Sequence, residues 1–300
     1  MPTWVLLSIL APAILTVVNF TDKYILERQI KDYRGFAIFS AIVGLTAGAL
    51  LWVATGFPTL PLTDGLLVVL TGVLAVFGTA LYFQVLSKEE TSKVIFLLQL
   101  TPVMVLALSV LFLGDKLSLR AFAGFVLIFA STLGASFEKG KGFKIKLSGP
   151  LALMLIADFF WALSLIVFKF VSETNSFVKM VSYESLGWAV GGAVLFAVFP
   201  GIRNAFFKTA SALKKQALGV VFLNEIIYVA SKLIGFWAIS LGPVAMVSVI
   251  GSTNVFFGVA YGWILTLAAP KIFKEAIDKR SLAGKFCLAS LLVLGLYFIS

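Results

Sequence analysis

One apolar segment of this 300-residue sequence carries three side chains that could bind a charged or hydrogen-bonding ligand. Glu225, Tyr228 and Lys232 lie within VFLNEIIYVASKLIGFW, residues 221 to 237. On a helix, Glu225 and Lys232 would share one face, roughly 10 Å apart along the axis, with Tyr228 on nearly the same stripe. Charges inside an apolar span usually face a cavity or a partner. We therefore predict that these three side chains line a substrate or proton site; the alternative is that neighbouring helices neutralise each charge.

Five further side chains extend this candidate site. Asp158 lies near the middle of an apolar run and shares a helical face with Trp161. Glu184 lies roughly one turn from the middle of another run, and Asn19 and Asn254 place amides in two more. Each could contact a substrate. The alternatives are structural charge pairs for the carboxylates and helix-to-helix hydrogen bonds for the amides.

We expect the other polar side chains within apolar runs to stabilise the structure and not to contact a substrate. We expect Asp22 to pair with a Lys or Arg at the membrane surface, and Lys23 and Lys169 to anchor the ends of their spans. The remaining amides are expected to hydrogen-bond neighbouring helices: Gln84, Gln99 and Asn224.

Composition sets the class of protein that must position these residues. The chain is 60% hydrophobic and only 13% charged, whereas soluble domains are about 25% charged. Its mean hydropathy of +1.05 is typical of a polytopic membrane protein.

The sequence has no histidine and one cysteine, Cys287, which excludes an intramolecular disulfide and histidine-based metal or acid–base chemistry. It has neither GxGxxG nor GxxxxGK[ST]. We expect no catalytic residues, no metal and no cofactor, so the protein is predicted not to be an enzyme.

Ten apolar stretches are long enough to cross a bilayer, which takes about 20 residues each. They lie at about 3–26, 35–56, 64–86, 92–113, 119–138, 149–171, 177–199, 216–240, 243–268 and 281–299. The connections between them are short, which leaves no room for a soluble domain.

The two halves of the chain resemble each other in the order of several short motifs. The stretch around Lys23 aligns with the stretch around Lys169, and GLTAG (44–48) aligns with GWAVG (187–191). These glycine motifs predict close helix packing within each half. The basic segment 201–219 predicts a cytoplasmic helix lying at the membrane surface.

An odd number of spans per half requires the second copy to be inverted in the membrane. Most Lys and Arg residues lie in the odd-numbered connections, and the even-numbered connections hold only Lys116, Arg120 and Lys179. We predict an all-α polytopic membrane protein with ten transmembrane helices in two inverted five-helix repeats, 1–146 and 147–300. The charge rule predicts that the odd-numbered connections are cytoplasmic, in a prokaryotic inner or plasma membrane.

Four stretches give the sequence a resemblance to a known family. They are NFTDKYILE, ALYFQVLSKEETSKVIFLLQLTPV, LGDKLSLRAFAGFVLIFASTLG and FWAISLGPVAMVSVIGSTNVFFG. In this order they resemble the ten-span EamA-like family of the drug/metabolite transporter (DMT) superfamily. The resemblance implies transport of small metabolites, with the spans of Asn19 and Asn254 facing the cavity. Asn254 departs from the pattern, since it stands where a second proline is expected.

The function expected from residues and resemblance together is transport. We expect a secondary active or facilitative transporter of small organic metabolites, amino acids or related amphiphilic compounds, that works by alternating access around a midplane cavity. Its expected partners are the small-molecule substrate, membrane lipids and protons, without nucleic acid, and we expect a monomer. The alternatives are a polytopic membrane enzyme, a flippase for lipid-linked substrates, and a helper subunit without a substrate.

Overall fold

The structure is a computed structural model, and it describes residues 2–30, 32–114, 118–136, 149–273, 275 and 278–299. The regular elements of these ranges are thirteen helices: α1 (Thr3–Arg28), α2 (Tyr33–Ala54), α3 (Leu62–Leu86), α4 (Thr91–Leu97), α5 (Leu100–Phe112), α6 (Leu119–Ser136), α7 (Gly149–Ser172), α8 (Phe177–Val198), α9 (Pro200–Ala212), α10 (Lys215–Leu241), α11 (Val244–Gly251), α12 (Asn254–Ala268) and α13 (Lys279–Ile299).

Eight helical stretches in the described residues are long and apolar enough to cross a membrane. They are α1, α2, α3, α4 with α5, α7, α8, α10, and α11 with α12. The predicted all-α polytopic membrane fold is therefore confirmed. The helices α6 and α13 fall where the fifth and tenth spans are predicted and pack against each other, while the count of ten spans stays a prediction.

The exterior of the helix assembly is apolar, and many of its buried side chains are polar. Leu50, Leu62 and Leu111 are all more than half exposed, whereas Asp158 and Glu184 are fully buried. A soluble protein distributes these residue types the other way round. This arrangement is favourable in a lipid bilayer, because exposed leucine side chains contact hydrocarbon there and buried polar groups can hydrogen-bond to one another.

Two of the spanning stretches are broken near their middles. The α-helical hydrogen-bond pattern is interrupted between α4 and α5, at Leu98 and Gln99, and between α11 and α12, at Ser252 and Thr253, while the backbone dihedral angles of all four residues stay in the right-handed helical region. At both breaks the backbone bonds shift to the i→i−3 pattern, as in the bond from Gln99 N to Phe96 O at 3.1 Å. The two breaks occupy corresponding positions in the fourth and ninth predicted spans.

The closest helix packing joins elements from the two predicted halves. Helix α3 packs on α7 and α8, α1 on α10, and α2 on α8. The glycine motifs lie at these contacts: a Cβ on Gly48 would collide with Ser185 of α8, and one on Gly187 would overlap the carbonyl oxygen of Val69 in α3. The prediction that these motifs pack within each half is therefore wrong, because the halves interdigitate. The repeat boundary itself stays a prediction.

The basic segment forms a separate short helix beside the assembly. Helix α9 covers Pro200–Ala212, and the chain resumes as α10 at Lys215, within the predicted 201–219 segment. Phe206 packs on Phe39 of α2 at 5.1 Å between ring centroids, while Phe207 is more than half exposed. Helix α9 thus attaches to the assembly by one side and exposes aromatic and basic side chains on the other.

Candidate functional site

A cavity of about 320 Å³ lies between helices from both halves of the chain. Its walls come from α1, α2, α3, α5, α7, α8, α10, α11 and α12, and both helix breaks open onto it. Along α1 the lining runs from Asp22 to Ser8, a distance of about 20 Å at 1.5 Å per residue. The cavity therefore extends along much of one spanning helix.

Three acidic side chains and one basic side chain line this cavity: Asp22, Glu184, Glu225 and Lys232. Most of the remaining lining is apolar, with hydroxyl and amide groups between. An apolar cleft with a few converging polar groups is the usual form of a small-molecule site.

Glu184 and Lys232 form a buried ion pair between α8 and α10. The ammonium nitrogen of Lys232 lies 2.8 Å from Glu184 Oε2. Trp188 Nε1 donates to the other carboxylate oxygen at 2.7 Å, and the Lys232 ammonium lies 4.8 Å from the centroid of the Trp188 ring. The pair satisfies both charges internally, so Lys232 is not left as an isolated positive charge.

Glu225 and Asp22 have neutral partners instead. Ser40 donates to Glu225 Oε1 at 2.6 Å. Asn224 Nδ2 donates to Asp22 Oδ1 at 2.7 Å, and the Tyr82 hydroxyl lies 3.2 Å from Asp22 Oδ2. Among the residues that the structure describes, neither carboxyl group has a Lys or Arg within ion-pair distance. The cavity therefore holds two carboxyl groups without a cationic partner.

The amides of the site bridge helices and leave some hydrogen-bonding capacity unused. Asn254 accepts a hydrogen bond from Thr16 of α1, and Asn19 accepts one from Tyr82 at 3.1 Å. Asn19 Nδ2 and Ser248 Oγ are buried and have no hydrogen-bond partner in the ranges that the structure describes. Both residues line the cavity, so a ligand there would find unsatisfied polar groups.

Seven of the eight predicted site residues line the one cavity: Asn19, Trp161, Glu184, Glu225, Tyr228, Lys232 and Asn254. Trp161 donates to the carbonyl of Ala75 at 3.3 Å, and the Tyr228 ring lies 5.6 Å from that of Trp188. Asp158 does not line the cavity. It accepts a hydrogen bond from Thr101, and Thr101 does line the cavity. That these residues bind a substrate stays a prediction.

Sequence reasoning misplaced Asp22. It does not pair with a surface Lys or Arg in the described part of the chain but lies in the cavity, only 4% exposed. Its neighbour Lys23 instead donates to the carbonyls of Leu86 and Glu89 at 2.9 Å, which ties the end of α1 to the end of α3. The signal for Asp22 was present in the sequence, because Asn19 lies one helical turn earlier.

A polar cluster ties the two halves together at the end of the cavity beyond Asp22. We call Glu90, Ser92, Glu275 and Lys285 the end cluster. Lys285 Nζ lies 3.1 Å from Glu275 and 3.2 Å from Glu90. The Ser92 hydroxyl also donates to Glu275. The cluster joins the start of α4 to the residues around the start of α13.

A metal is not supported by the side chains in the described ranges, which contain no group of three or more His, Cys, Asp or Glu residues suited to hold one. Of the three carboxyl groups that line the cavity in the described ranges, that of Glu184 is paired with Lys232.

Comparison with known proteins assigns a family to the first half of the chain. Residues 2–137 match the EamA-like transporter family. This match confirms the predicted resemblance to the EamA-like family over these residues, a family of membrane transporters in the DMT superfamily. The match ends before residue 147, so the second predicted repeat is not covered by it.

Comparison with solved structures shows a similar fold over nearly the whole chain. Twenty-seven chains match. One of them, described only as a crystal structure of a protein, covers 99% of this chain and 95% of its own length with a TM-score of 0.59 and 17% sequence identity. At that identity the likeness concerns the fold alone. A comparison with curated proteins gives no match.

Proposed function

We propose that this membrane transporter carries small amine-bearing organic solutes, amino acids or related amphiphiles, by alternating access. The observation that carries the proposal is a pair of carboxyl side chains, Asp22 and Glu225, that have no cationic partner among the described residues and lie in a cavity built from both halves. A ligand ammonium group supplies the charge that these carboxyl groups lack.

The rest of the cavity fits the other parts of such a solute. Its volume of about 320 Å³ lies at the small end of the roughly 300–1,000 Å³ typical of ligand pockets. The apolar walls suit a hydrocarbon portion, and Asn19 Nδ2 and Ser248 Oγ offer a donor and a hydroxyl for a ligand carboxylate or carbonyl. A small amphiphile uses both kinds of surface, whereas a long lipid-linked cargo exceeds this volume.

Alternating access needs one end of the cavity closed while the other is open. The end cluster supplies the closure, because it holds Glu90 and Ser92 of the first half to Glu275 and Lys285 of the second. Arg28, which donates to the carbonyl of Lys271, adds a further tie at this end. The charge rule assigns this end to the cytoplasm, so on this proposal the cavity is closed on its cytoplasmic side. The helix breaks are the proposed points at which the walls bend during exchange.

A ligand panel measured by thermal shift tests the substrate class. Purified wild-type protein is heated with individual amino acids, amines and carboxylic acids, alongside Glu225→Gln and the matched control Glu173→Gln, which makes the same change at an exposed position. We expect amine-bearing compounds to stabilise the wild type and the control but not Glu225→Gln. Stabilisation by carboxylic acids alone, or equal stabilisation of all three proteins, would contradict the proposal.

A further inference from the structure

We propose that Asp158 is a proton-binding site that governs the helix break between α4 and α5. The proposal goes beyond substrate transport, because it concerns a carboxyl group outside the cavity lining and holds whatever solute the cavity carries.

Asp158 is the most isolated carboxyl group of the described residues. It is 0% exposed. Its Oδ1 accepts a hydrogen bond from the Thr101 hydroxyl at 2.6 Å, and its Oδ2 has no hydrogen-bond partner. In the described ranges no Lys or Arg lies within ion-pair distance of it. Within the described part of the chain, the Thr101 hydroxyl is thus its one hydrogen-bond partner.

An unpaired carboxylate in such surroundings requires a neutralising cation. Burying an uncompensated charge is strongly unfavourable, and within membrane spans such groups mark ion and proton sites. A metal ion takes several oxygen ligands, while Asp158 and Thr101 offer three oxygen atoms and no second carboxylate. A proton needs one oxygen atom, and Oδ2 is the atom that stands without a partner.

Thr101 links this carboxyl group to the helix break. Its backbone N–H bonds to the carbonyl of Leu98 at 3.1 Å, which is one of the bonds that shape the break. Pro102 follows it and has no N–H to continue the helical pattern. The Thr101 side chain donates a hydrogen bond to Asp158, and the Thr101 backbone N–H makes one of the hydrogen bonds at the break. Deprotonation of Asp158 therefore places an uncompensated charge beside the interrupted α-helical hydrogen bonds of this span.

Other titratable groups face α7 from the helices packed against it, and they must be separated from Asp158 in any pH experiment. Helices α5 and α11 carry none. The groups on α3, α8 and α10 that line the cavity are Tyr82, Glu184, Glu225, Tyr228 and Lys232. A Glu225→Gln variant serves as the matched control, since it removes a carboxyl group of the cavity and leaves Asp158 in place.

Infrared difference spectroscopy of the full-length protein reads the proton directly, with no substrate present. We expect an acid-form carboxyl C=O band that loses intensity as the pH is raised. The component of this band that comes from Asp158 should be missing from Asp158→Asn, retained in Glu225→Gln, and shifted in frequency in Thr101→Val, which keeps the carboxyl group but removes its hydrogen bond. An acid band of equal intensity in the wild type and Asp158→Asn would overturn the proposal.

Amide hydrogen exchange over residues 97–103 tests the link to the break. After correction for the intrinsic pH dependence, we expect exchange in the wild type to become at least about tenfold faster at alkaline pH, given the cost of an exposed charge at a span centre. Asp158→Asn should show no such change. If Asp158→Asn does not fold, Thr101→Val carries the test, with fast exchange at every pH. A wild-type segment whose corrected exchange is independent of pH would overturn the link, and neither outcome depends on the substrate proposed above.

Discussion

At the scale of single residues, the charged side chains that line the cavity divide into one ion pair and two carboxyl groups whose hydrogen-bond partners in the described residues are neutral. Glu184 and Lys232 neutralise each other at 2.8 Å, while Asp22 and Glu225 have only neutral partners. The sequence favoured Glu225 with Lys232 as the functional set because they share one helix face. The structure instead pairs Lys232 with Glu184 of α8 and hydrogen-bonds Glu225 to Ser40 of α2, and for this reason the proposal assigns the ligand contact to Glu225.

The Glu184–Lys232 pair predicts a non-additive stability effect. Lys232→Met leaves Glu184 buried and uncompensated, and we expect it to destabilise the protein by about 3 kcal/mol or more. The double variant Glu184→Gln with Lys232→Met should recover much of that loss. Thermal unfolding in detergent measures the cycle, with Lys215→Met as an exposed control on the same helix. Additive losses in the double variant would contradict a direct pair.

Sequence reasoning found most of the candidate site, and its misses have physical reasons. Charged and amide side chains within apolar spans are rare and costly, so Glu225, Glu184 and Asn254 could be selected without knowing the fold. Asp22 was missed because it lies near the end of the first predicted span, where pairing with a Lys or Arg at the membrane surface was expected. Asp158 was assigned to the site because spacing along a helix does not show which wall of a cavity a face forms.

At the scale of elements, close glycine contacts bring α3 and α8 together and thereby position Glu184. A Cβ at Gly72 would overlap the carbonyl oxygen of Glu184 itself, and one at Gly187 would overlap that of Val69. The obstructing atoms belong to the backbone, so side-chain rotation cannot relieve the clashes.

The helix breaks were not predicted, since both lie inside continuous apolar runs. Gln99 with Pro102, and Ser252 with Thr253, are the residues whose backbone preferences end the helices there.

A methyl group tests this contact. We expect Gly187→Ala to destabilise the protein by about 1–3 kcal/mol, because added volume in a close-packed contact forces the helices apart. Gly219→Ala is the matched control, since a Cβ there meets no atom within 4 Å and alanine favours a helix. Thermal unfolding of the two variants measures the difference. Equal midpoints would show that α3 and α8 are less closely packed than described.

The start of α2 predicts a pH effect outside the membrane. Asp32 caps this helix through Arg34 N at 3.1 Å, and the hydrogen bond and charge of the Arg34 side chain lower the pKa of the Asp32 carboxyl. A lowered pKa stabilises the folded state above the ordinary carboxyl pKa, and that stabilisation is lost as the pH falls through the lowered value.

We therefore expect Asp32→Asn, which keeps a capping side chain, to lower the midpoint of thermal unfolding slightly at neutral pH. The difference from the wild type should vanish in acid. Unfolding curves at neutral and acidic pH measure it, and a difference that grows as the pH falls would contradict the assigned sign.

At the scale of the whole molecule, polar contacts are unevenly placed along the cavity. The end cluster connects the halves beyond Asp22, while the lining on α1 continues in the opposite direction to Ser8. The interdigitated packing of α1 on α10 and α3 on α8 makes each wall depend on both halves. In the proposed mechanism, a movement that separates Glu90 from Lys285 changes access to the same cavity.

Labelling of single cysteines tests this asymmetry. Cys287 is the one native cysteine, so Cys287→Ser gives a background for Ser248→Cys, whose side chain lines the cavity. In sealed vesicles of known orientation, a charged thiol reagent should label this position from the side of the N-terminus. Adding Glu275→Gln to weaken the end cluster should raise labelling from the opposite side. Equal labelling with and without Glu275→Gln would show that the end cluster does not control access to the cavity.

Uptake into proteoliposomes is the most direct test of the central claim that the cavity carries an amine-bearing solute through Asp22 and Glu225. Radiolabelled amino acids and amines would be offered to vesicles containing the wild type, Asp22→Asn, Glu225→Gln or the exposed control Glu173→Gln. We predict exchange of at least one amine-bearing compound by the wild type and the control, with a loss of about tenfold or more in each cavity variant, the expected effect of removing a charged ligand contact. Undiminished exchange in both cavity variants would contradict the account.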